Sequence, residues 1–175
     1  MILSQAEIKS LILTHDMVAG FEEANLQAFG LDITASSEAF VEAYSPSSQP
    51  AVFPIKHGKS AYNVEKIDLE QDPLVILPQS QVAVYSKESF KLPTKIRGRC
   101  YTTASMSVCG VSFVGDIVLH PGWEGHILVY IRNNNRHHSV KIDRGDCIGQ
   151  VQFESVPEQQ YRYAGNFQHL GVKHV

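Results

Sequence analysis

The sequence has few cysteines, no long apolar run and no strong excess of either charge. Its three cysteines are odd in number and lack Cys-x-x-Cys spacing, so neither a disulfide framework nor a zinc knuckle is predicted. No stretch reaches the roughly 20 apolar residues that span a bilayer as a helix, so no membrane segment is expected. The opening residues lack the basic and apolar regions of a signal peptide, and a reducing, cytoplasmic setting is therefore the expectation.

The charge balance excludes a global attraction to nucleic acid. The 15 basic and 18 acidic residues give a net charge of -3, so no nucleic-acid partner is predicted and any polyanion site must be a local cluster. One candidate is the basic run formed by Lys87, Lys91, Lys95, Arg97 and Arg99. A solvated strand-and-loop face would give the same pattern, so both interpretations remain open.

Apolar spacing predicts one all-β domain over residues 1–175 with a short helix near its start. Ser4 and Glu7 fit a capping box, and the apolar residues that follow predict a helix over about residues 5–13. Short runs rich in Val, Ile, Phe and Tyr then predict strands at 30–35, 39–44, 61–69, 74–77, 81–86, 112–119, 126–132, 139–142 and 147–154. Many short strands at roughly ten-residue spacing are typical of a β-sandwich or a jelly-roll-like barrel.

A tight turn is predicted after the strand at 112–119. Pro121 and Gly122 supply turn chemistry, and Trp123 is expected to be a packing anchor. If the preceding strand is regular, its alternation places Asp116 and His120 on one face. A histidine beside a carboxylate can act as a general acid or base near neutral pH, although a structural role fits the same pair.

Two further segments are ambiguous. The adjacent His137 and His138 lie in a polar loop and are weak evidence for a metal, so no metal ligand is predicted. Residues 156–175 show little helix or strand periodicity. They form either a frayed tail or a segment that orders over a site or a neighbouring subunit.

Three motifs resemble the dCTP deaminase/dUTPase family. The family patterns are Gly-Arg-Ser-Ser-Leu-x-Arg, Asp-Pro-Gly-Phe/Trp-x-Gly-x-x-x-Leu-Glu and Gly-x-x-Ile-x-Gln-x-x-Phe. This chain has Gly98-Arg-Cys-Tyr-Thr102, His120-Pro-Gly-Trp-Glu-Gly-His126 and Gly145-Asp-Cys-Ile-Gly-Gln-Val-Gln-Phe153. The first eight residues, residues 30–34 and Arg162-Tyr-Ala-Gly-Asn166 are similar to the deaminase branch, so the resemblance runs from residue 1 to about 168.

The resemblance implies a fold, a ligand and an assembly. The fold would be a distorted β-barrel of the dUTPase-like type, and the assembly a homotrimer whose subunits share nucleotide sites. The ligand would be a pyrimidine deoxynucleoside triphosphate, with Mg²⁺ bound through the triphosphate. Arg99 matches a phosphate-contacting arginine, and Gln150 a glutamine that is structural or near the triphosphate. Tyr163 and Asn166 fall in the segment that closes over the nucleotide.

The carboxylates that perform the family's chemistry are replaced in this chain. The deaminase glutamate falls at Tyr130, which would line the substrate site without acting as a carboxylate. The aspartate that activates water in dUTPases falls at His120. The serine pair of the first motif falls at Cys100 and Tyr101. His120 with Asp116 is therefore the candidate substitute base.

Three hypotheses follow from these matches and departures. The chain is an enzyme on deoxynucleoside triphosphates with a rearranged catalytic set. Alternatively, it is a catalytically degenerate relative that binds nucleotide or a partner protein for regulation. In the third hypothesis it is a structural subunit that keeps only the fold and the trimer.

Overall fold

A computed structural model describes residues 1–42, 64–157, 163–165 and 168–169. Helix α1 spans Gln5–His15, two residues longer than predicted, and buries Ile8 and Ile12. The predicted capping box is confirmed, because the Ser4 side chain accepts from the Glu7 N–H and the Glu7 carboxylate accepts from the Ser4 N–H at 2.8 Å. No helix in the described part of the chain is long and apolar enough to cross a membrane.

The rest of the described chain is mostly β-structure with antiparallel pairing. The first strands are β1 (Val18–Ala19), β2 (Leu26–Gln27), β3 (Gly30–Glu42), β4 (Val64–Asp68), β5 (Leu74–Ile76) and β6 (Gln81–Lys91). They are followed by β7 (Ile96–Tyr101), the short helix α2 (Ala104–Val108), β8 (Val111–Phe113) and β9 (Ile117–Leu119). The last strands are β10 (Glu124–Asn133), β11 (Val140–Ile142) and β12 (Cys147–Ser155), and a 3-10 turn covers Glu23–Asn25.

The main sheet curls back on itself. Its strand order is β8-β10-β6-β3-β12-β7-β9, with β1 on β6 and with β2 and β4 on β3, while β5 and β11 form a separate pair. β8 and β9 lie at opposite ends of this order, yet only residues 114–116 connect them. Such a link spans at most about 14 Å, so the two ends of the sheet must meet. The sheet is therefore a half-barrel, which confirms the all-β, jelly-roll-like prediction.

Contacts between β8 and the β7–β12 half of the sheet show the same closure. The Phe113 N–H donates to Thr102 Oγ1 at 3.1 Å. A Cβ placed on Gly149 would lie 2.4 Å from Cζ of Phe113, so the ring packs directly against the β12 backbone. Register shifts in β3, β10 and β12 mark bulges, which bend the strands further. Trp123, only 5% exposed, is the predicted packing anchor.

The predicted strand at 112–119 is wrong as a single element. β8 ends at Phe113, and the backbone turns at Gly115 before β9 begins at Ile117. The φ of 83° at Gly115 favours glycine. The predicted strands at 30–35 and 39–44 are one bulged strand up to Glu42 in the described residues. β7 was expected only as part of a strand-and-loop face, because its basic residues obscure its apolar alternation.

β7 buries Cys100 on its inner face, and burial raises the pKa of this thiol to about 12. In the unfolded chain the pKa of a cysteine thiol is about 8.5. Above that pH the unfolded state therefore binds fewer protons than the folded state. The free energy of unfolding therefore keeps its full value below about pH 8.5 and decreases as the pH rises towards about 12.

We therefore expect an alkaline loss of stability that depends on Cys100. Between pH 8 and pH 10 the wild type should lose about 2 kcal/mol of unfolding free energy more than Cys100→Ala. Urea unfolding at both pH values measures this difference. The exposed Cys109 gives the matched control, because Cys109→Ala should keep the wild-type slope. Parallel slopes for the wild type and Cys100→Ala would contradict the prediction.

Candidate functional site

The candidate site lies on the outward face of β3, β12, β7 and β9. Burial along β7 alternates, with Gly98 and Cys100 facing the core. Arg97, Arg99 and Tyr101 point outward, as expected for a strand with one buried face. The arginine and the tyrosine of the first family-like motif therefore share one surface.

Arg99 lies beside β9, the strand that leads to the turn at Pro121 and Gly122. Its direct cross-strand neighbour on β9 is Val118, and such neighbours have Cβ atoms about 5 Å apart. Asp116 immediately precedes β9, His120 immediately follows it, and both are exposed, as is Val118. β9 is thus shorter than the regular strand assumed in the prediction. Within the described chain, no hydrogen bond or ion pair joins Asp116 to His120.

The two outward arginines of β7 differ in their partners. Arg97 donates from Nε at 2.8 Å and from Nη2 at 2.6 Å to Glu154 Oε2. Arg99 is exposed and has no ion-pair partner among the residues that the structure describes. A guanidinium presents a rigid fork of donors that matches phosphate oxygens, so Arg99 is available for an anionic ligand.

Two other members of the basic run, Lys87 and Lys91, lie on β6 rather than beside Arg99 on β7. On β6, Lys87 pairs with Glu22 at 2.6 Å. Lys91 lines a cleft of about 290 Å³ together with Glu124, which is also its cross-strand neighbour. The opposite charge of Glu124 weakens any attraction of an anion to this cleft. The basic run is therefore divided between β6, which carries Lys87 and Lys91, and the outward face of β7, which carries Arg97 and Arg99.

A second row of neighbours adjoins Arg99 on the outward face. It contains Asp32 on β3, Gln150 on β12 and Tyr101 on β7. Gln150 donates from Nε2 to Asp32 Oδ1 at 2.8 Å, and Gln27 donates from Nε2 to Asp32 Oδ2 at 2.8 Å. Sequence reasoning selected Gln150 but missed Asp32. The alternation of residues 30–34 could have identified Asp32 as the outward residue of its strand.

His120 begins the predicted turn, and a later segment packs on it. The imidazole of His120 stacks on the Tyr163 ring, with centroids 5.3 Å apart and planes within 6°. The Tyr163 N–H donates to the Pro121 carbonyl at 3.3 Å. Gly122, with φ at 78°, lets the Trp123 N–H return to the His120 carbonyl at 3.0 Å. Tyr163 therefore covers one face of the candidate base.

Two more residues of the same segment hold the turn. Gln168 accepts from the Glu124 N–H at 3.3 Å and donates to the Gly122 carbonyl at 3.2 Å. The His169 N–H donates to the Glu124 carbonyl at 2.7 Å. Asn166, assigned to this segment by the resemblance, lies outside the described residues.

Tyr130 lies on the other half of the curled sheet. It points outward from β10, is 44% exposed, and has Ala83 of β6 as its cross-strand neighbour. Its carbonyl accepts from the Val114 N–H at 2.8 Å, which ties β10 to the link that carries Asp116. No hydrogen bond within the described chain joins Tyr130 to Arg99. A phenol hydroxyl can hydrogen-bond a ligand, but it lacks the proton-accepting capacity of a carboxylate at neutral pH.

Sequence reasoning also missed a buried carboxyl group. Glu88 is fully buried, and its two oxygens accept from the Thr34 N–H at 2.9 Å and the Thr34 hydroxyl at 2.8 Å. Both of its oxygens are engaged within the fold, so Glu88 joins β6 to β3 rather than serving a ligand. Its polar character in an apolar alternation was the available signal.

The side chains of this face suit a metal ion that is bound mainly by the phosphates of a nucleotide. In the described ranges, no group of at least three His, Cys, Asp or Glu side chains is arranged to hold a metal ion. Mg²⁺ commonly keeps several waters and binds through one or two carboxylates plus substrate phosphates. Asp116 is exposed and immediately precedes β9, so its carboxylate is available for this mode of binding.

Comparison with known proteins identifies the family. The family model described as dCTP deaminase-like matches residues 2–156. The dCTP deaminase of Thermococcus gammatolerans is 30% identical over 142 residues, covering 78% of this chain and 88% of the relative. That of Campylobacter jejuni is 27% identical over 155 residues, covering 83% of this chain and 79% of the relative.

A solved structure shares the fold. The 2'-deoxycytidine 5'-triphosphate deaminase from Agrobacterium tumefaciens superposes with a TM-score of 0.69 at 19% identity. The match covers 89% of this chain and 48% of that chain, so this protein spans about half the length of the solved relative. At this identity the likeness shows the fold alone, while the match of the family model over residues 2–156 shows the relationship. The chain belongs to the dCTP deaminase-like family.

Proposed function

We propose that this chain binds a pyrimidine deoxynucleoside triphosphate and deaminates or hydrolyses it with a non-standard catalytic set. One observation carries the proposal: within the family-matched region, Arg99 is exposed without an ion-pair partner in the described chain, and it lies beside β9, the strand that His120 immediately follows. Arg99 would bind phosphate. Mg²⁺, bound through the triphosphate, would neutralise the negative charge of the phosphates.

His120 would act as the general base. In deamination, it takes a proton from water as the oxygen bonds to C4 of cytosine, and the proton is then delivered to the departing ammonia. In hydrolysis, the activated water attacks phosphorus and pyrophosphate leaves. Asp116 would stabilise the imidazolium. A hydrogen bond between a catalytic histidine and its carboxylate is often long or unformed until substrate binds. The lack of a hydrogen bond between Asp116 and His120 in the unliganded chain is therefore compatible with these two roles.

A homotrimer is part of this proposal. Arg99 lies on β7 and Tyr130 on β10, with β6, β3 and β12 between them in the sheet order, and no hydrogen bond in the described chain joins the two residues. A site that uses both residues is more easily completed by two subunits than by one. Tyr163 and Asn166 would then enclose the nucleotide and exclude water.

A second candidate function is nucleotide binding without chemistry. Its support is the exposed phenol of Tyr130 at the position where the family pattern has the deaminase glutamate. Loss of general acid–base catalysis typically lowers a rate by about 10²–10⁴-fold. Such a chain would be a regulatory or structural subunit.

Turnover and binding assays separate the two functions. The purified protein is incubated with dCTP or dUTP and Mg²⁺ while ammonia and pyrophosphate are followed. Release of either product supports the enzyme. A raised melting temperature without turnover supports binding alone, because a ligand that binds only the native state stabilises it. If a folded sample shows no turnover and no thermal shift with these nucleotides, both proposals are contradicted.

We expect Arg99→Gln to lower the affinity for dCTP by about 10- to 100-fold. A hydrogen bond to a charged group contributes about 1.5–3 kcal/mol, and the neutral amide loses that charge. Isothermal titration calorimetry measures the change. Arg97→Gln is the matched control, because Arg97 is already paired with Glu154 and should alter affinity less than about threefold. Equal losses in the two variants would indicate a general charge effect and contradict a specific role for Arg99.

A further inference from the structure

The plane of an exposed histidine ring is not fixed by its own side-chain torsions. The torsion that turns an imidazole about its bond to Cβ is broad, so an outside contact is needed to hold the ring. His120 is exposed, and within the described chain its imidazole makes no hydrogen bond or ion pair. The contact that holds this ring is the stack on Tyr163, with centroids 5.3 Å apart and planes within 6°.

Stacking holds the imidazole without occupying either of its nitrogens. Nδ1 and Nε2 lie at the edge of the ring, and they are the atoms that donate and accept protons. A stacked partner covers the face of the ring, whereas the carboxylate of a Ser-His-Asp triad engages one nitrogen in order to orient the ring. The stack on Tyr163 therefore leaves one nitrogen of His120 for water and the other for Asp116.

The Tyr163 ring is itself restrained by its surroundings. It is half-buried and packs against the hydrophobic core. A Cβ placed on Gly165 would lie 2.2 Å from Oη and 2.3 Å from Cζ of Tyr163, so the glycine backbone lies directly against the phenol end of the ring. A larger residue at Gly165 would force the ring to move. Tyr163 thus offers the imidazole a restrained surface.

The backbone that carries Tyr163 is tied to the turn that follows His120. The Tyr163 N–H donates to the Pro121 carbonyl at 3.3 Å. The Gln168 N–H donates to the Gly165 carbonyl at 3.1 Å, and the Gln168 side chain bonds two backbone groups of the same turn. These contacts use backbone atoms or Gln168, so a change to the Tyr163 ring alone leaves them in place.

We propose that Tyr163 is a positioning residue that fixes the plane of the His120 imidazole for proton transfer. The inference rests on the proposed function for the role of His120 as the base. A fixed plane keeps one nitrogen directed at the reacting water, which lowers the entropic cost of reaching the reactive arrangement. The stability of a stacked aromatic pair corresponds to about a 2- to 10-fold preference for the stacked ring. Loss of the stack should lower the rate by a similar factor.

Two variants disturb the stack by different routes. Tyr163→Leu removes the aromatic ring and keeps an apolar side chain against the core. Gly165→Ala keeps the tyrosine but places a Cβ where its ring lies, so the ring must move. Tyr163→Phe preserves the stack without the hydroxyl and is the conservative variant. Ala164→Ser, at the exposed residue between the two positions, is the matched control.

Steady-state kinetics with dCTP and dUTP tests the positioning role. Tyr163→Leu and Gly165→Ala should lower kcat by about 2- to 10-fold while KM changes less than about twofold. Tyr163→Phe and Ala164→Ser should keep the wild-type kcat. In a His120→Asp background, which has no imidazole to position, Tyr163→Leu should not lower kcat further. An equal loss in that background, or a rise in KM alone, would overturn the positioning role.

A measurement without nucleotide keeps the inference distinct from the proposed function. The ring current of Tyr163 shifts the NMR signals of nearby protons, and the imidazole C–H signals of His120 are identified by their loss in His120→Ala. At one fixed pH these signals should move in Tyr163→Leu and Gly165→Ala and stay in place in Tyr163→Phe and Ala164→Ser. Unmoved signals in Tyr163→Leu would overturn the stack. If the signals move but the wild type turns over neither nucleotide, the proposed function and the positioning role fail while the stack stands.

Discussion

Replacing His120 with alanine is expected to lower nucleotide turnover at least about 100-fold while the fold remains intact. General-base help is typically responsible for about 10²–10⁴ in rate. His120 is exposed, and its described side-chain contact is the stack on Tyr163, so its loss removes little packing. Steady-state kinetics with dCTP and dUTP measures the rate, and the melting temperature checks the fold.

Two variants show whether the effect comes from proton transfer. His120→Asp supplies a carboxylate base at the same position and should retain more activity than His120→Ala, although it loses the aromatic stack. His137→Ala removes an exposed histidine from a different loop and should leave the rate unchanged. An unchanged rate in His120→Ala would defeat the assignment of His120 as the base.

The second large effect is expected on stability, at Asn133. This residue is fully buried, and its Nδ2 donates to the carbonyls of Ile76 at 3.0 Å and His138 at 2.8 Å. Its Oδ1 accepts from the backbone N–H of Asn135 at 3.0 Å and from the Asn135 side chain at 2.8 Å. One amide thus connects the end of β10 to the loop before β11 and to the end of β5.

Asn133→Asp should lower the free energy of unfolding by about 3–5 kcal/mol. The side chain keeps its shape, but both donors are lost and a carboxylate faces two carbonyl oxygens in a buried site. Urea unfolding at neutral pH measures the loss. Asn134→Asp is the matched control, because Asn134 is exposed and donates to Ser112 Oγ at the surface. A loss below about 1 kcal/mol for Asn133→Asp would contradict the predicted importance of this network.

Local features of the fold were predictable because their causes are local. The capping box of Ser4 and Glu7 fixes the start of α1 within one turn of helix. Pro121 and Gly122 likewise produced the expected turn. The break between β8 and β9 was not predicted, because Val114 extends the apolar run after Phe113 and Gly115 alone signals the turn.

Sequence motifs selected candidate residues for the site but could not predict their arrangement. Arg99, His120 and Tyr130 follow from matching motifs, which preserve spacing along the chain. The pairing of Arg99 with β9, and the position of Tyr130 on β10, depend on the strand order of the curled sheet. The stacking of Tyr163 on His120 could not be predicted from the sequence of either segment alone.

The sequence by itself determined the family, the β-rich class, the helix, the turn and the loss of the family's carboxylates. Only the tertiary structure decided that Asp32 meets Gln150 across 118 residues and that Arg99 remains unpaired among the described residues while Arg97 does not. The physical reason is strand register. Turns and caps depend on bonds between residues a few positions apart, whereas register is set by packing of the whole core, and a one-residue slip would turn every outward side chain inward.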